Sequence, residues 1–61
     1  GAYDHKEKFV VCGYKGTYYT KKDEEWVIWN DSQYYHKINA THLAKGKEKL
    51  QKMAQSLYLN N

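Results

Sequence analysis

Short runs of apolar, β-branched and aromatic residues, separated by turn residues, fill the first two-thirds of the chain and predict β-strands. The strongest run is EWVIW at residues 25–29, and the polar residues 1–7 before the first run predict a loose lead-in. Because the connections between the runs are short, we expect three to four strands in an antiparallel meander within residues 8–38. The predicted strands are residues 9–12, 17–20, 25–29 and 33–38.

A different period follows and predicts one amphipathic helix over residues 41–58. At about 100° per residue, the apolar positions fall within one arc and lysines line the opposite side. Asn39 or Thr41 is expected to cap the helix, and Gly46, inside the arc, is expected to allow close approach to a bulky sheet residue. The arc contains Leu43, Gly46, Leu50, Met53, Ala54 and Leu57, and the lysines are Lys45, Lys49 and Lys52.

The predicted sheet is apolar on both faces, although one helix can cover only one of them. If Asp31 and Ser32 form a two-residue turn, Trp29 opposes Tyr34, and Trp26 lies on the other face of the sheet. Three arrangements solve the problem: the sheet curls, its second face binds a ligand, or the chain dimerises through that face. We expect an α+β domain whose meander curls into a small barrel, an architecture analogous to SH3 and chromodomain barrels, packed on one C-terminal helix.

The length and composition predict one small domain over residues 1–61, stabilised by aromatic bulk rather than by disulfides. Cys12 is the only cysteine, and the chain begins with Gly1 and Ala2 rather than Met, which suggests a cleavage scar or a domain excised from a larger protein. No apolar run is long enough to span a membrane, and no signal peptide is visible. We therefore expect an intracellular location, cytoplasmic or nuclear, and no membrane partner.

Motifs for catalysis or metal binding are weak. Cys12 falls within a predicted strand and is expected to be a small buried hydrophobe. His5, His36 and His42 do not have the paired spacing of zinc ligands, and the acidic residues 23–25 are expected to form a solvated turn. We predict no catalytic residue, no metal and no cofactor, and we do not expect an enzyme.

The basic balance points instead to binding. The net charge is +3, and every cation is a lysine, a point charge suited to phosphates but unable to read bases in the bidentate manner of arginine. Lysines interleaved with aromatic rings match a surface that neutralises phosphates and stacks on bases. The leading hypothesis is a binding module for nucleic acid with low sequence specificity. The predicted binding residues are Lys15, Tyr18, Tyr19, Lys21, Lys22, Trp26 and Tyr35.

A protein-interaction domain is the alternative that the sequence leaves open. Such a domain would bind an acidic protein surface as an adaptor or as a small inhibitor from a phage or mobile element. It could instead read peptide lysines in an aromatic cage. Its simplest form is a homodimer through the second sheet face.

Overall fold

A computed structural model of the protein describes residues 3–41 and 46–59. Its four strands pair antiparallel in chain order, so that the first and last strands are the two edges of one open sheet. The α+β meander with one C-terminal helix is confirmed, whereas the expected curling into a barrel is wrong. The elements are β1 (His5–Val11), β2 (Tyr14–Lys21), β3 (Glu24–Asn30), β4 (Tyr35–Thr41) and α1 (Lys47–Leu59).

The first strand begins earlier than predicted, at His5 rather than Lys8. The backbone N–H of Asp4 already donates to the carbonyl of Thr20 at 2.8 Å, and the Asp4 carboxylate accepts the backbone N–H of Lys22 at 2.7 Å. The prediction of a loose lead-in through residue 7 is therefore wrong. Pairing with β2 satisfies the backbone groups of this segment that point toward β2, while its polar side chains remain exposed.

The turn between β1 and β2 consists of Cys12 and Gly13, with φ angles of 48° and 85°. Positive φ at both central residues is the pattern of a type I′ hairpin turn, whose twist matches that of the flanking strands. Cys12 is exposed in this turn, so its prediction as a buried strand residue is wrong. Gly16 lies beyond this turn and belongs to β2.

The connection between β3 and β4 spans residues 31–34 rather than the predicted two residues. Trp29 therefore pairs with His36, and Tyr34 lies in the loop. The Asp31 carboxylate accepts the backbone N–H groups of Gln33 and Tyr34, both at 2.7 Å, which stabilises the longer turn. The register differs from the predicted one by two residues, a shift that leaves every strand residue on its predicted face.

The hydrophobic core lies between α1 and one face of the sheet. Leu50 and Ala54 are its buried helical residues, whereas Met53 and Leu57 are exposed, so only part of the predicted arc packs. Leu43 lies outside the described residues. The buried hydrophobic residues are Phe9, Val11, Tyr18, Val27, Trp29, Ala40, Leu50 and Ala54.

The helix begins later than predicted, at Lys47, directly after Gly46. Gly46 has a φ of 89°, a conformation that an α-helix cannot include and that glycine adopts without strain. A side chain at this position would meet nothing within 4 Å, so the expected close packing at Gly46 is wrong. Asn39 and Thr41 belong to β4, and the prediction that either caps the helix is also wrong.

Close packing occurs instead at Gly16, which lies between Phe9 and Trp29 in the register of the sheet. A Cβ atom at Gly16 would lie 2.1 Å from the backbone oxygen of Ile28 and 2.7 Å from the Cβ of Trp29. The absence of a side chain lets the Phe9 and Trp29 rings approach to a centroid distance of 6.3 Å. Gly16 therefore determines how the aromatic core closes over β2.

Substitution Gly16→Ala should destabilise the domain by about 3 kcal/mol, because the new methyl group collides with backbone that cannot move without opening the β2–β3 pairing. Gly13→Ala is the matched control. It meets no neighbour and should cost only about 1 kcal/mol for its positive φ. Urea denaturation of both variants measures the difference, and equal losses would contradict this account of Gly16.

A polar network ties the end of α1 to the β3–β4 loop. The Trp29 Nε1–H donates to the Tyr58 hydroxyl at 2.8 Å, and that hydroxyl donates to Asp31 Oδ2 at 2.7 Å. His36 Nε2 lies 2.7 Å from the same oxygen. The Tyr34 N–H, the Tyr58 hydroxyl and the Gln33 N–H hold the pKa of Asp31 well below its usual range.

Low pH should therefore lower the stability of the folded domain, because it protonates the Asp31 carboxylate. A carboxyl group with a lowered folded-state pKa contributes stability above its unfolded pKa of about 3.9, and this contribution is lost as the pH falls further. Asp31→Asn should lower the melting temperature at neutral pH and reduce the loss of stability between about pH 5 and pH 2. Asp23→Asn, in the exposed β2–β3 turn, should retain the wild-type melting temperature at neutral pH. Thermal melts followed by circular dichroism would contradict the assignment if both variants behaved alike.

Candidate functional site

The sheet face opposite α1 is the candidate site and is called the open face. Side chains alternate along each strand, so the register that buries Phe9, Val27 and Trp29 against α1 directs their neighbours outward. None of the residues that the structure describes forms a second layer over this face. Its strand residues are Lys6, Lys8, Val10, Lys15, Thr17, Tyr19, Lys21, Glu24, Trp26, Ile28, Asn30, Tyr35, Lys37, Asn39 and Thr41.

An aromatic row crosses the open face. Tyr19 and Trp26 are paired on the two central strands, and their rings are stacked with centroids 5.1 Å apart and planes 10° apart. Tyr3 extends the row with its ring 5.5 Å from that of Tyr19. The ring separation is close to the spacing of about 4.8 Å between strands, so the stack runs across the sheet rather than along it.

The two tryptophans have different environments. Trp29 is 1% exposed beneath α1, whereas Trp26 is half-buried on the open face. Stacking against Tyr19 shelters part of Trp26, but no helix covers it. Trp26 is therefore the indole that an external ligand can reach.

Lysines surround the aromatic row. Lys8 and Lys37 lie on opposite edge strands of one cross-strand ladder, about 14 Å apart for three strand spacings. Glu24 is the only acidic strand residue on this face, and it lies 3.4 Å from the side-chain amide of Asn39. The potential over the open face is therefore positive. The exposed lysines on its strands are Lys6, Lys8, Lys15, Lys21 and Lys37, and Lys22 adjoins them in the β2–β3 turn.

Shallow grooves lie on the open face. One, of about 540 Å³, lies at the β2–β3 turn, between the aromatic row and the turn lysines. Another, of about 270 Å³, lies toward the opposite end of the strands, beside Tyr35. The first is lined by Tyr3, Tyr19, Lys21, Lys22, Glu24 and Trp26, and the second includes Lys15, Thr17, Ile28, Asn30 and Tyr35.

The structure brings most of the predicted binding residues to one surface. Five of them share the open face, and Lys22 lies beside it. Tyr18 does not, because it alternates with Tyr19 and points toward α1. Its hydroxyl donates to Glu25 Oε1 at 2.8 Å, and burial together with this hydrogen bond raises the pKa of Tyr18 to about 12. The five residues are Lys15, Tyr19, Lys21, Trp26 and Tyr35.

Sequence reasoning missed four residues of this surface. Lys6 and Lys8 alternate with β1 residues of the helix-covered face, but the segment through residue 7 was expected to be loose. Lys37 lies on β4, and Tyr3 joins the row through Tyr19. The alternation of lysine with other residues from Lys6 to Phe9 was the available signal.

The acidic residues 23–25 separate into different environments. Glu25 is 7% exposed, on the helix-covered face, and its Oε1 accepts both the Tyr18 hydroxyl and the backbone N–H of Gly46 at 2.8 Å. The expectation that all three acids form a solvated turn is therefore wrong for Glu25. This carboxylate connects the sheet to the start of α1 and is removed from the open face.

Other surfaces of the described residues provide little chemistry. No cluster of three or more His, Cys, Asp or Glu side chains within residues 3–41 and 46–59 has the geometry to hold a metal ion. Lys49 and Lys52 are exposed on α1, on the other side of the sheet from the aromatic row. In the same residues, no helix has the length and apolarity needed to cross a membrane.

The fold and surface define a small α+β domain with an open, basic and aromatic sheet face. The chain belongs to a family described as a domain of unknown function (DUF4367), whose model matches residues 1–57. No curated protein and no solved structure matches the chain.

Proposed function

We propose that this domain is a non-enzymatic binding module whose open face engages nucleic acid in single-stranded form, with low sequence specificity. The observation that carries the proposal is the row of aromatic rings across the central strands with lysines on both edge strands. A nucleic-acid partner implies an intracellular location, cytoplasmic or nuclear, which is part of the proposal.

The charge pattern supports a polymer rather than a small anion. The lysines are spread over the whole face and are not gathered around one pocket, so they suit phosphates repeated along a chain. No arginine is present in the sequence to make bidentate contacts with guanine or with a phosphate. Recognition by these lysines depends on charge, which is why the proposed specificity is low.

The aromatic row supports an unpaired strand rather than a duplex. A broad sheet face cannot enter the major groove in the way that a helix or a two-stranded ribbon can, and aromatic stacking requires bases that are free of their partners. Trp26 stands at the β4 end of the row, and its cross-strand partner on β4 is the exposed Asn39. A base added there would extend the existing stack.

Salt dependence and lysine substitution test the electrostatic part of the proposal. A partner that contacts about five phosphates should give a slope near −3.5 in log K against log salt, and Lys21→Gln or Lys37→Gln should each reduce its magnitude by about 0.7. Lys49→Gln on α1 is the matched control and should leave the slope unchanged. Fluorescence anisotropy with a labelled single-stranded oligonucleotide measures all three variants. No binding at low salt to single-stranded DNA or RNA would refute the proposal.

Substitution of two adjacent tyrosines tests the part of the proposal that concerns base stacking. Tyr35 and Tyr34 have similar exposures of 62% and 64%, but only Tyr35 lies on the open face. Trp26→Leu and Tyr35→Leu should each weaken binding by roughly 5- to 150-fold, the range expected for one stacked base. Tyr34→Leu, the matched control, should retain wild-type affinity. Equal losses for Tyr34→Leu and Tyr35→Leu would place the contact outside the open face.

An acidic protein surface is the second candidate partner. Exposed tyrosines are enriched at protein interfaces, and Tyr34 and Tyr35 are both exposed at the β3–β4 end of the sheet. Poly-glutamate distinguishes the two candidates in the same anisotropy assay. Competition by poly-glutamate at charge concentrations equal to those of a competing oligonucleotide favours a protein partner, because this polymer provides charge without bases.

A further inference from the structure

The two edges of the sheet have different surroundings. α1 packs closest to β1 and contacts it with polar groups: the Gln51 side-chain amide donates to the Val10 carbonyl, and Lys47 Nζ lies 3.0 Å from Glu7 Oε1. No described element pairs with the outer edge of β4. An unpaired strand edge is a template for another strand unless proline, a bulge or several charges block it.

β4 has few of these protective features. Its seven residues pair with β3 in an uninterrupted register, so it contains no bulge, and the chain contains no proline. Lys37 is the only Lys, Arg, Asp or Glu residue of β4. The strand is thus long and regular, and its outer edge is open among residues 3–41 and 46–59.

We propose that β4 pairs antiparallel with β4 of a second copy of this chain, about a two-fold axis at Ile38. This inference depends on the fold and not on the proposed function. The symmetric register pairs all seven residues and places Lys37 opposite Asn39 on the open face, twice per dimer. The remaining pairs are Tyr35 with Thr41, His36 with Ala40, and Ile38 with Ile38.

The alternative registers are less favourable. A shift of one residue would place open-face side chains opposite helix-face side chains. A shift of two residues in one direction pairs residues 35–39 and brings Lys37 opposite Lys37, a like-charge pair that is destabilising. The opposite shift pairs only residues 37–41. The symmetric register is therefore favoured, because it pairs all seven residues of β4 and avoids placing like charges opposite each other.

The geometry of the dimer has a direct consequence for the open face. A two-fold axis perpendicular to the sheet keeps both copies of α1 on the same side, and each helix lies toward β1, away from the shared edge. The two four-stranded sheets become one of eight strands. The two open faces join into a single surface that presents both aromatic rows.

Charge substitution tests the register. Asn39→Lys brings two lysines opposite each other at both Lys37–Asn39 positions and should weaken the dimer by roughly 2- to 30-fold. Lys37→Glu combined with Asn39→Lys places opposite charges across the axis and should return the dissociation constant to the wild-type value or below it. Sedimentation equilibrium from about 10 μM to 1 mM, at low salt where exposed charges are least screened, measures the three proteins.

Two controls make the outcome decisive. Circular dichroism melts at low concentration show whether each variant remains folded, and amide hydrogen exchange shows whether β4 gains protection as the wild-type concentration rises. A wild type that remains monomeric at 1 mM overturns the proposal. A folded Asn39→Lys variant that dimerises as tightly as the wild type overturns it too. Monomeric protein that still binds oligonucleotides would refute this inference alone and leave the proposed function intact.

Discussion

The packing of the Trp29 indole between sheet and helix is the interaction on which the rest of the structure depends. The ring contacts Phe9 across Gly16, is stacked on His36 at 4.7 Å, and donates its N–H to Tyr58 on α1. Strands on both sides and the C-terminal helix therefore meet at one side chain. A 61-residue chain without disulfides needs such a contact, because its core contains few fully buried residues.

This packing also determines where the candidate binding surface lies. Trp29 and Trp26 are three residues apart on one strand, so alternation places them on opposite faces. Once Trp29 is buried under α1, Trp26 and its stacked partner Tyr19 must face away from the helix. The sheet does not curl to cover them, and the lysines of both edge strands then surround an aromatic row that remains accessible.

Most of the fold and part of the candidate site could be predicted from local patterns. Alternation placed Trp26 and Tyr35 on one face correctly despite a register error of two residues, since an even shift preserves the faces. The adjacent Tyr18 and Tyr19 could not be separated in this way, because two neighbouring tyrosines give no indication of which one is buried. Glu25 was misplaced for a similar reason: a carboxylate beside a charged turn is usually solvated, and the hydrogen bonds from Tyr18 and Gly46 come from distant segments.

The sequence by itself determined the order of the elements, the antiparallel pairing of neighbouring strands and the excess of aromatic and lysine residues, because these follow from propensity, short connections and composition. Only the tertiary structure decided that the sheet remains open, that α1 begins after Gly46, and that Lys6, Lys8 and Lys37 share the open face with the aromatic row. These features depend on contacts between segments far apart in the chain. One example is the contact between the Phe9 and Trp29 rings across Gly16, which no local sequence pattern predicts.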